Sequence, residues 1–303
     1  REVSERRMPD APARRALIRA LVLALCVGQG AALKVFVSGA GGQTGQSVFR
    51  KMLARPEFSP VGVVRSEESK AALVESGVPA ECVVVCDVTD ADAVMRAMAG
   101  CEAVVIATSA KPAPTGETKD DGRPVFGFPN GQPEAVDWLG QKSQIDAAIA
   151  QGTGTHVAIC SSMGGTDPDH MLNSLGRETL EDGSTRGGDI LKWKRKAEAY
   201  LVASGLPWTV VHPGGLVNEE GGVRALCLGV DDVIKGTENR NVPREDVAEV
   251  LVQSLLLPAL KNRAVDLVSK PEGEGAPPTD WTAWAESELK ELAAYDYTLG
   301  EVA

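Results

Sequence analysis

From position 33 onward, short runs of continuous apolar, often β-branched residues alternate with longer stretches whose apolar residues recur every three or four positions. The runs fall at 33–38, 61–65, 82–87, 103–109, 156–162 and 208–213. Helical patterns stand between them at 43–53, 66–77, 90–100, 134–152 and 190–205. Strands without polar alternation imply a sheet covered on both faces. Helices between successive strands imply parallel pairing through right-handed crossovers. The expected fold is α/β, a doubly wound parallel sheet in a single domain over 33–303, with substrate-side loops and C-terminal helices. Beyond 213 the pattern predicts a helix at 244–257, a strand at 263–269 and a last helix at 279–295. No internal repeat interrupts it.

Two segments break the rhythm. One, 110–134, carries prolines at 112, 114, 124, 129 and 133; the other, 163–188, is rich in Gly, Asp, Asn and Thr. Loops this long inside a compact domain are functional lids or disordered insertions, and both follow strand C-termini, the edge at which doubly wound sheets bind ligands. The N-terminus differs again. Arginines at 1, 6, 7, 14, 15 and 19 precede the apolar run 20–27 and then small residues, the order of a removable leader. Residues 1–32 are read as a targeting segment for a plastid or another organelle, without which the chain would be cytoplasmic. The apolar run is too short to span a bilayer, so the mature form is expected off the membrane.

Net charge is −11 in 303 residues, which repels nucleic-acid phosphates and anionic membranes and leaves a small molecule as the expected partner. The three histidines, at 156, 170 and 212, are too scattered for a local metal site, and none is expected. Six cysteines without a CxxC pair read as buried thiols of a reducing compartment. Neither substrate nor oligomeric state is legible.

The densest chemical signal is FVSGAGGQTGQ at 36–46, with four glycines in seven positions between a strand and a helix. Gly39 suits a tight turn. Gly41 and Gly42 remove side chains where a pyrophosphate must reach backbone N–H groups, and Gly45 lets the helix pack on the strand with its positive end toward the phosphates. The second strand ends in Arg65 and Ser66, where a site for NAD would carry an acid. Arg65 can pair with a 2′-phosphate and Ser66 can donate to it, so the expected cofactor is NADP. Asp87, ending the third strand, would meet the adenine edge or cap the next helix.

With these residues the chain resembles the atypical short-chain dehydrogenases/reductases, and within them the NAD(P)H-binding, NmrA-like group of plant and algal type with a Rossmann fold. The marks are VDWLGQKSQIDAA (136–148), SSMGGTDPDH (161–170), LKWKRKAEAYL (191–201) and VPREDVAEV (242–250). The resemblance implies that Gln43 and Thr44 join the glycines at the phosphates and that Val88 joins Asp87. Thr108, Ser109, Ser161, Pro213 and Gly214 would line the nicotinamide side. Lys194 would hold the nicotinamide ribose.

The usual family acid is a tyrosine four residues before that lysine, and here Ile190 stands there. Isoleucine cannot transfer a proton. Ser162, Lys194 and His212 are left as candidate catalytic groups. The expected function is an NADP(H)-binding oxidoreductase without the usual tyrosine acid. A non-catalytic redox sensor, or a structural subunit with a vestigial pocket, needs progressively fewer of these residues.

Overall fold

Strand Leu33–Ser38 (β1) is apolar on both sides because both of its sides are covered. Val35 and Val37 join the core on one face of the sheet and Phe36 joins the core on the other. The computed structural model describes residues 31–118 and 122–302, so the segment read as a leader lies almost wholly outside the described residues. Strands Phe58–Val64 (β2), Val83–Val85 (β3), Ala103–Ile106 (β4), His156–Cys160 (β7), Trp208–Pro213 (β10) and Arg263–Ser269 (β14) join β1 in one sheet. Leu226–Gly229 (β12) completes it, and the order is β12-β14-β10-β7-β4-β1-β2-β3. Every pairing is parallel except that of β12 with β14.

The fold expected from the alternation of runs is the fold observed. The chain builds outward through β1, β2 and β3, then returns to the other side of β1 with β4. That reversal opens a crevice at the strand C-termini between β1 and β4. Helices Gln43–Leu53 (α1), Glu67–Glu75 (α2), Arg244–Ser254 (α6) and Trp281–Leu289 (α7) cover one face, through residues such as Phe49, Met52 and Leu251. Helices Ala91–Ala97 (α3), Gln141–Gln151 (α4) and Ile190–Ala203 (α5) cover the other, through Val94, Ile145 and Leu201.

The differences from the sequence pattern lie at the element ends and in the segments between elements. Several strands are shorter than their apolar runs: β3 keeps three residues and β4 stops at Ile106, so 107–109 is loop. Cys82 and Cys86 flank β3 and do not share a strand face. Segment 110–134 folds back as a hairpin of Ala113–Thr118 (β5) and Pro124–Gly127 (β6), and 163–188 holds a second, Glu178–Thr179 (β8) with Thr185–Arg186 (β9). Gly215–Val217 (β11) pairs with Asn241–Pro243 (β13) beside the main sheet. The helix expected from 134 begins as a π-helical stretch, Glu134–Gly140, before settling into α4.

The last helix ends at Leu289, well short of Tyr295. Continuing it would carry Tyr295 and Tyr297 away from the core face on which both now pack. Arg195 of α5, only 2% exposed, holds that tail by donating to the carbonyl oxygens of Leu299 (2.6 Å) and Asp296 (3.4 Å) and to the Tyr295 hydroxyl (3.2 Å). Arg195→Met would strand those acceptors and is expected to destabilise the fold by about 3 kcal/mol. Chemical unfolding would measure this, and limited proteolysis should cut first within 290–302.

Candidate cofactor and active site

Gly39 is in the left-handed region (φ 70°), and a Cβ there would stand 2.5 Å from the Ala107 carbonyl oxygen. A Cβ on Gly45 would stand 2.2 Å from the Gly39 carbonyl oxygen. These two glycines are required by the fold itself, because α1 sits directly on the turn that leaves β1. Gly41 is different: its Cβ would meet protein only at ordinary contact, 3.4 Å from Val64. Its backbone lines a cleft of about 450 Å³ together with Gly39 and Gly42. No side chain caps the first turn of α1 and no acid stands in it, so its N–H groups and positive end are left for an anion. Bare backbone beside an uncapped helix start fits a pyrophosphate.

The same cleft runs past the ends of β2, β3 and β4. Arg65, Asp87, Val88, Thr108 and Ser109 line it, as do Ser69, Lys111 and Asn130, which the sequence pattern did not single out. Arg65 Nη1 donates to the Asn130 carbonyl oxygen at 2.7 Å, bridging the cleft to the loop before the π-helical turn. Ser66 points the other way: its hydroxyl oxygen accepts from the Ser69 N–H and caps α2. Asp87 does not cap α3, a job done by Asp90. Its carboxylate accepts from the Thr89 N–H (2.9 Å) and hydroxyl (2.8 Å), stiffening the turn under the cleft. Ser143 supports the adjoining stretch by donating to the Val88 carbonyl oxygen at 2.5 Å.

A second cleft of about 260 Å³ shares Ala107 and Ser109 with the first. Thr44, Ser161, Ser162, Lys194, Pro213 and Gly214 line it, so most of the residues expected on the nicotinamide side meet here. The remaining walls are largely apolar: Ala110, Pro112, Leu172, Leu175, Ile190, Leu191 and Leu216. Ile190 occupies the position four before Lys194, and no tyrosine lines either cleft. Gln43, Gly45, Ser66 and His212 line neither.

Lys194 lies on the inward side of α5. It is buried, with its ammonium 2.8 Å from Asp137 Oδ1, while Asp137 Oδ2 accepts from the Ala110 N–H at 2.9 Å. Burial lowers the Lys194 pKa, but the charge and hydrogen bond of Asp137 outweigh it and hold the ammonium above its usual range. Asp137 thus ties the loop after β4 to α5 beneath the second cleft. Sequence spacing gave no sign of it, because it lies on another element. Nearby Cys160 is kept a thiol, its pKa pushed up by burial to about 11.

His212, expected as a replacement acid, is 1% exposed between two carboxylates. Its Nε2 stands 3.0 Å from Glu198 and its Nδ1 3.4 Å from Asp266. Burial pulls its pKa down, but the charge and hydrogen bond of Glu198, with the nearby Asp266 carboxylate, raise it to about 9. Glu198 is held below the usual carboxylate range, because His212, Ser161 and Arg195 together overcome its burial. Ser161 donates its hydroxyl to the other oxygen of Glu198, and Ser162 donates to the Met163 carbonyl oxygen at 2.9 Å. His170, in the 163–188 segment, accepts from the Leu172 N–H at 3.3 Å and caps a 3₁₀ turn.

Residues 39–258 match the model of a family described as NAD(P)H-binding. Among similar proteins is the sanguinarine reductase of Eschscholzia californica, 43% identical over 272 residues, covering 83% of this chain and 94% of that protein. An uncharacterized chloroplastic protein of Arabidopsis thaliana is 45% identical over 255 residues, covering 83% of this chain and 74% of that one. Among solved structures, a putative NAD-dependent epimerase/dehydratase from Bacillus halodurans superposes with a TM-score of 0.61 at 24% identity, over 86% of this chain and all of that one.

Two expectations follow from the geometry. Gly45→Ala should lower stability by about 2–4 kcal/mol in chemical unfolding, because its methyl has no room. Gly41→Ala should unfold normally yet weaken dinucleotide binding at least tenfold in a fluorescence titration. For His212 the folded pKa lies above the unfolded value of 6.5, so its stabilisation is complete below pH 6.5 and is lost as pH rises through about 9. The melting temperature should therefore fall across that window, and the slope should flatten in His212→Gln.

Proposed function

The chain belongs to the NAD(P)H-binding family, and on that premise we propose that it is an NADPH-dependent reductase of an apolar small molecule. The observation that carries this reading is the junction of the two clefts at Ala107 and Ser109. One cleft offers bare glycine backbone and Arg65; the other offers Lys194, Ser161 and Ser162 among apolar walls. The similarity to a protein named as a reductase supports the same class of chemistry.

Gly41, Gly42 and the first turn of α1 would hold the pyrophosphate of the cofactor. Arg65 and the nearby Lys111 supply positive charge for a 2′-phosphate, and Lys194, fixed by Asp137, would hold the nicotinamide ribose. When bound, the cofactor supplies a hydride. The protein's share is to orient the acceptor, exclude water through Leu172, Leu175, Ile190 and Leu216, and offer the Ser162 hydroxyl to the acceptor's oxygen. Ile190 means that any proton must come from a group other than a tyrosine on α5. The same substitution favours a second reading, a protein that holds NADPH and reports on it without turnover. Among the relatives is a chloroplastic protein, and with the basic, apolar leader pattern this supports a plastid destination.

NADPH consumption against a panel of apolar carbonyls, with the chain lacking residues 1–32, separates the two readings. Turnover supports the reductase, and tight binding without turnover supports the sensor. Arg65→Ala is expected to weaken NADPH at least tenfold and NADH less than threefold. Equal weakening of both would remove Arg65 from 2′-phosphate recognition.

A further inference from the structure

Glu198, His212 and Asp266 form a line of ionisable groups through the core, from α5 across β10 to β14. Arg195 lends Glu198 positive charge from the same helix, the ring of Tyr295 stacks on His212 with centroids 4.5 Å apart, and Tyr297 packs beside Tyr295. At the far end the Asp266 carboxylate accepts from the Asp232 N–H at 2.7 Å, in a half-buried loop. Such a set is weak evidence of a stabilising role: its charges must be desolvated, and apolar residues of similar volume in its place are often neutral or stabilising. Among the described residues, the line meets a cleft at Ser161. Ser161 is 7% exposed, lines the second cleft, and donates its hydroxyl to Glu198.

We propose that Ser161 is the proton donor to the substrate oxygen, and that Glu198 and His212 are a buried relay that restores its proton. The proposal rests on the reductase reading above. As hydride reaches a carbonyl carbon, the Ser161 O–H turns from Glu198 to the substrate and the new oxyanion takes its proton, leaving a Ser161 alkoxide. The Glu198 carboxylate meets Ser161 through one oxygen and His212 Nε2 through the other; it takes the Nε2 proton from His212, and rotation of the resulting carboxyl carries that proton to the Ser161 alkoxide. One hydride and one proton are consumed, the products are an alcohol and the oxidised nicotinamide, and His212 is left neutral between Glu198 and Asp266. Once the alcohol has left, water in the second cleft returns a proton by the same route, through Ser161 and Glu198. Glu198, His212 and Asp266 touch no substrate and are positioning residues. The chain thereby replaces a tyrosine on α5 by a serine at the end of β7, fed from behind.

Two probe acceptors test this with NADPH as donor: 4-nitrobenzaldehyde, whose alkoxide must be protonated, and N-methylacridinium, which accepts hydride and takes no proton. Glu198→Gln keeps the size and planarity of the side chain but exchanges one accepting oxygen for an NH2 and cannot pass a proton. It is expected to lower the ratio of aldehyde to acridinium kcat at least tenfold. The falling limb of the aldehyde pH profile, near pH 9 in the parent protein, should disappear in this variant. Ser161→Ala leaves the Glu198–His212 pair in place and must lower the same ratio. Independently of turnover, the His212 ring signals in NMR should titrate near pH 9 in the parent protein and markedly lower in Glu198→Gln.

An unchanged ratio in either variant overturns the relay, as does a His212 that titrates near 6.5 in the parent protein. Acridinium reduced without aldehyde overturns the relay and leaves the reductase standing. If neither probe is reduced, the reductase reading fails and takes the relay with it.

Discussion

The contact between α1 and the turn below it governs everything at the strand ends. With Gly45 against the Gly39 carbonyl oxygen, and Gly39 against Ala107, no side chain separates helix, turn and the loop after β4. That closeness aims the uncapped start of α1 along the crevice at the topological switch, between the ends of β1 and β4. It also brings Ala107 and Ser109 to the point where the two clefts meet. A methyl at either glycine would push the helix outward and open the crevice to water. The glycine-rich stretch thus serves two ends: Gly39 and Gly45 build the fold, while Gly41 leaves room for what enters it.

A second layer of constraint lies on α5. Lys194, Arg195 and Glu198 are all buried, each with a different partner on a different element: Asp137 before α4, the C-terminal tail, and His212 on β10. Charges in a core are tolerated only when paired and hydrogen-bonded. The three pairs therefore fix the helix in rotation and translation more narrowly than apolar packing would. The helix face that meets the second cleft inherits that precision, and so do Ile190, Leu191 and Lys194, which line it.

The topology was legible because it rests on periodicity, which is local. Continuous runs such as 33–38 and 208–213 became strands over the same residues. The glycine pattern was legible because its spacing is set by one turn. What escaped the sequence depends on pairs far apart in the chain. Asp137 is one of several acids until Lys194 is seen against it, 57 positions later. Arg195 reads as part of a solvated basic cluster with Lys192 and Lys196 until the tail folds over it. The last helix was drawn too long because 290–295 has ordinary helical residues. It ends early because Tyr295 and Tyr297 gain more by packing beside His212.

His212 shows why residue type alone misassigns chemistry. A strand-end histidine near the second cleft invites the role of direct acid, yet this one faces Glu198 and Asp266 and has almost no exposed surface. Two carboxylates around one imidazole would leave a net negative charge in the core, a costly arrangement unless the imidazole is protonated and further positive charge lies near. Arg195 provides that charge to Glu198, and the same guanidinium holds the tail that covers the cluster with Tyr295. The tail, the buried arginine and the charged histidine therefore form one assembly. Tyr295 closes His212 off from water on one side, and the hydroxyl of Ser161 marks where the line of charge reaches the cleft. Among the described residues the hydroxyl of this assembly that lines the second cleft is that of Ser161, and on the proposed reading that placement is what separates a relay from a set of structural ion pairs.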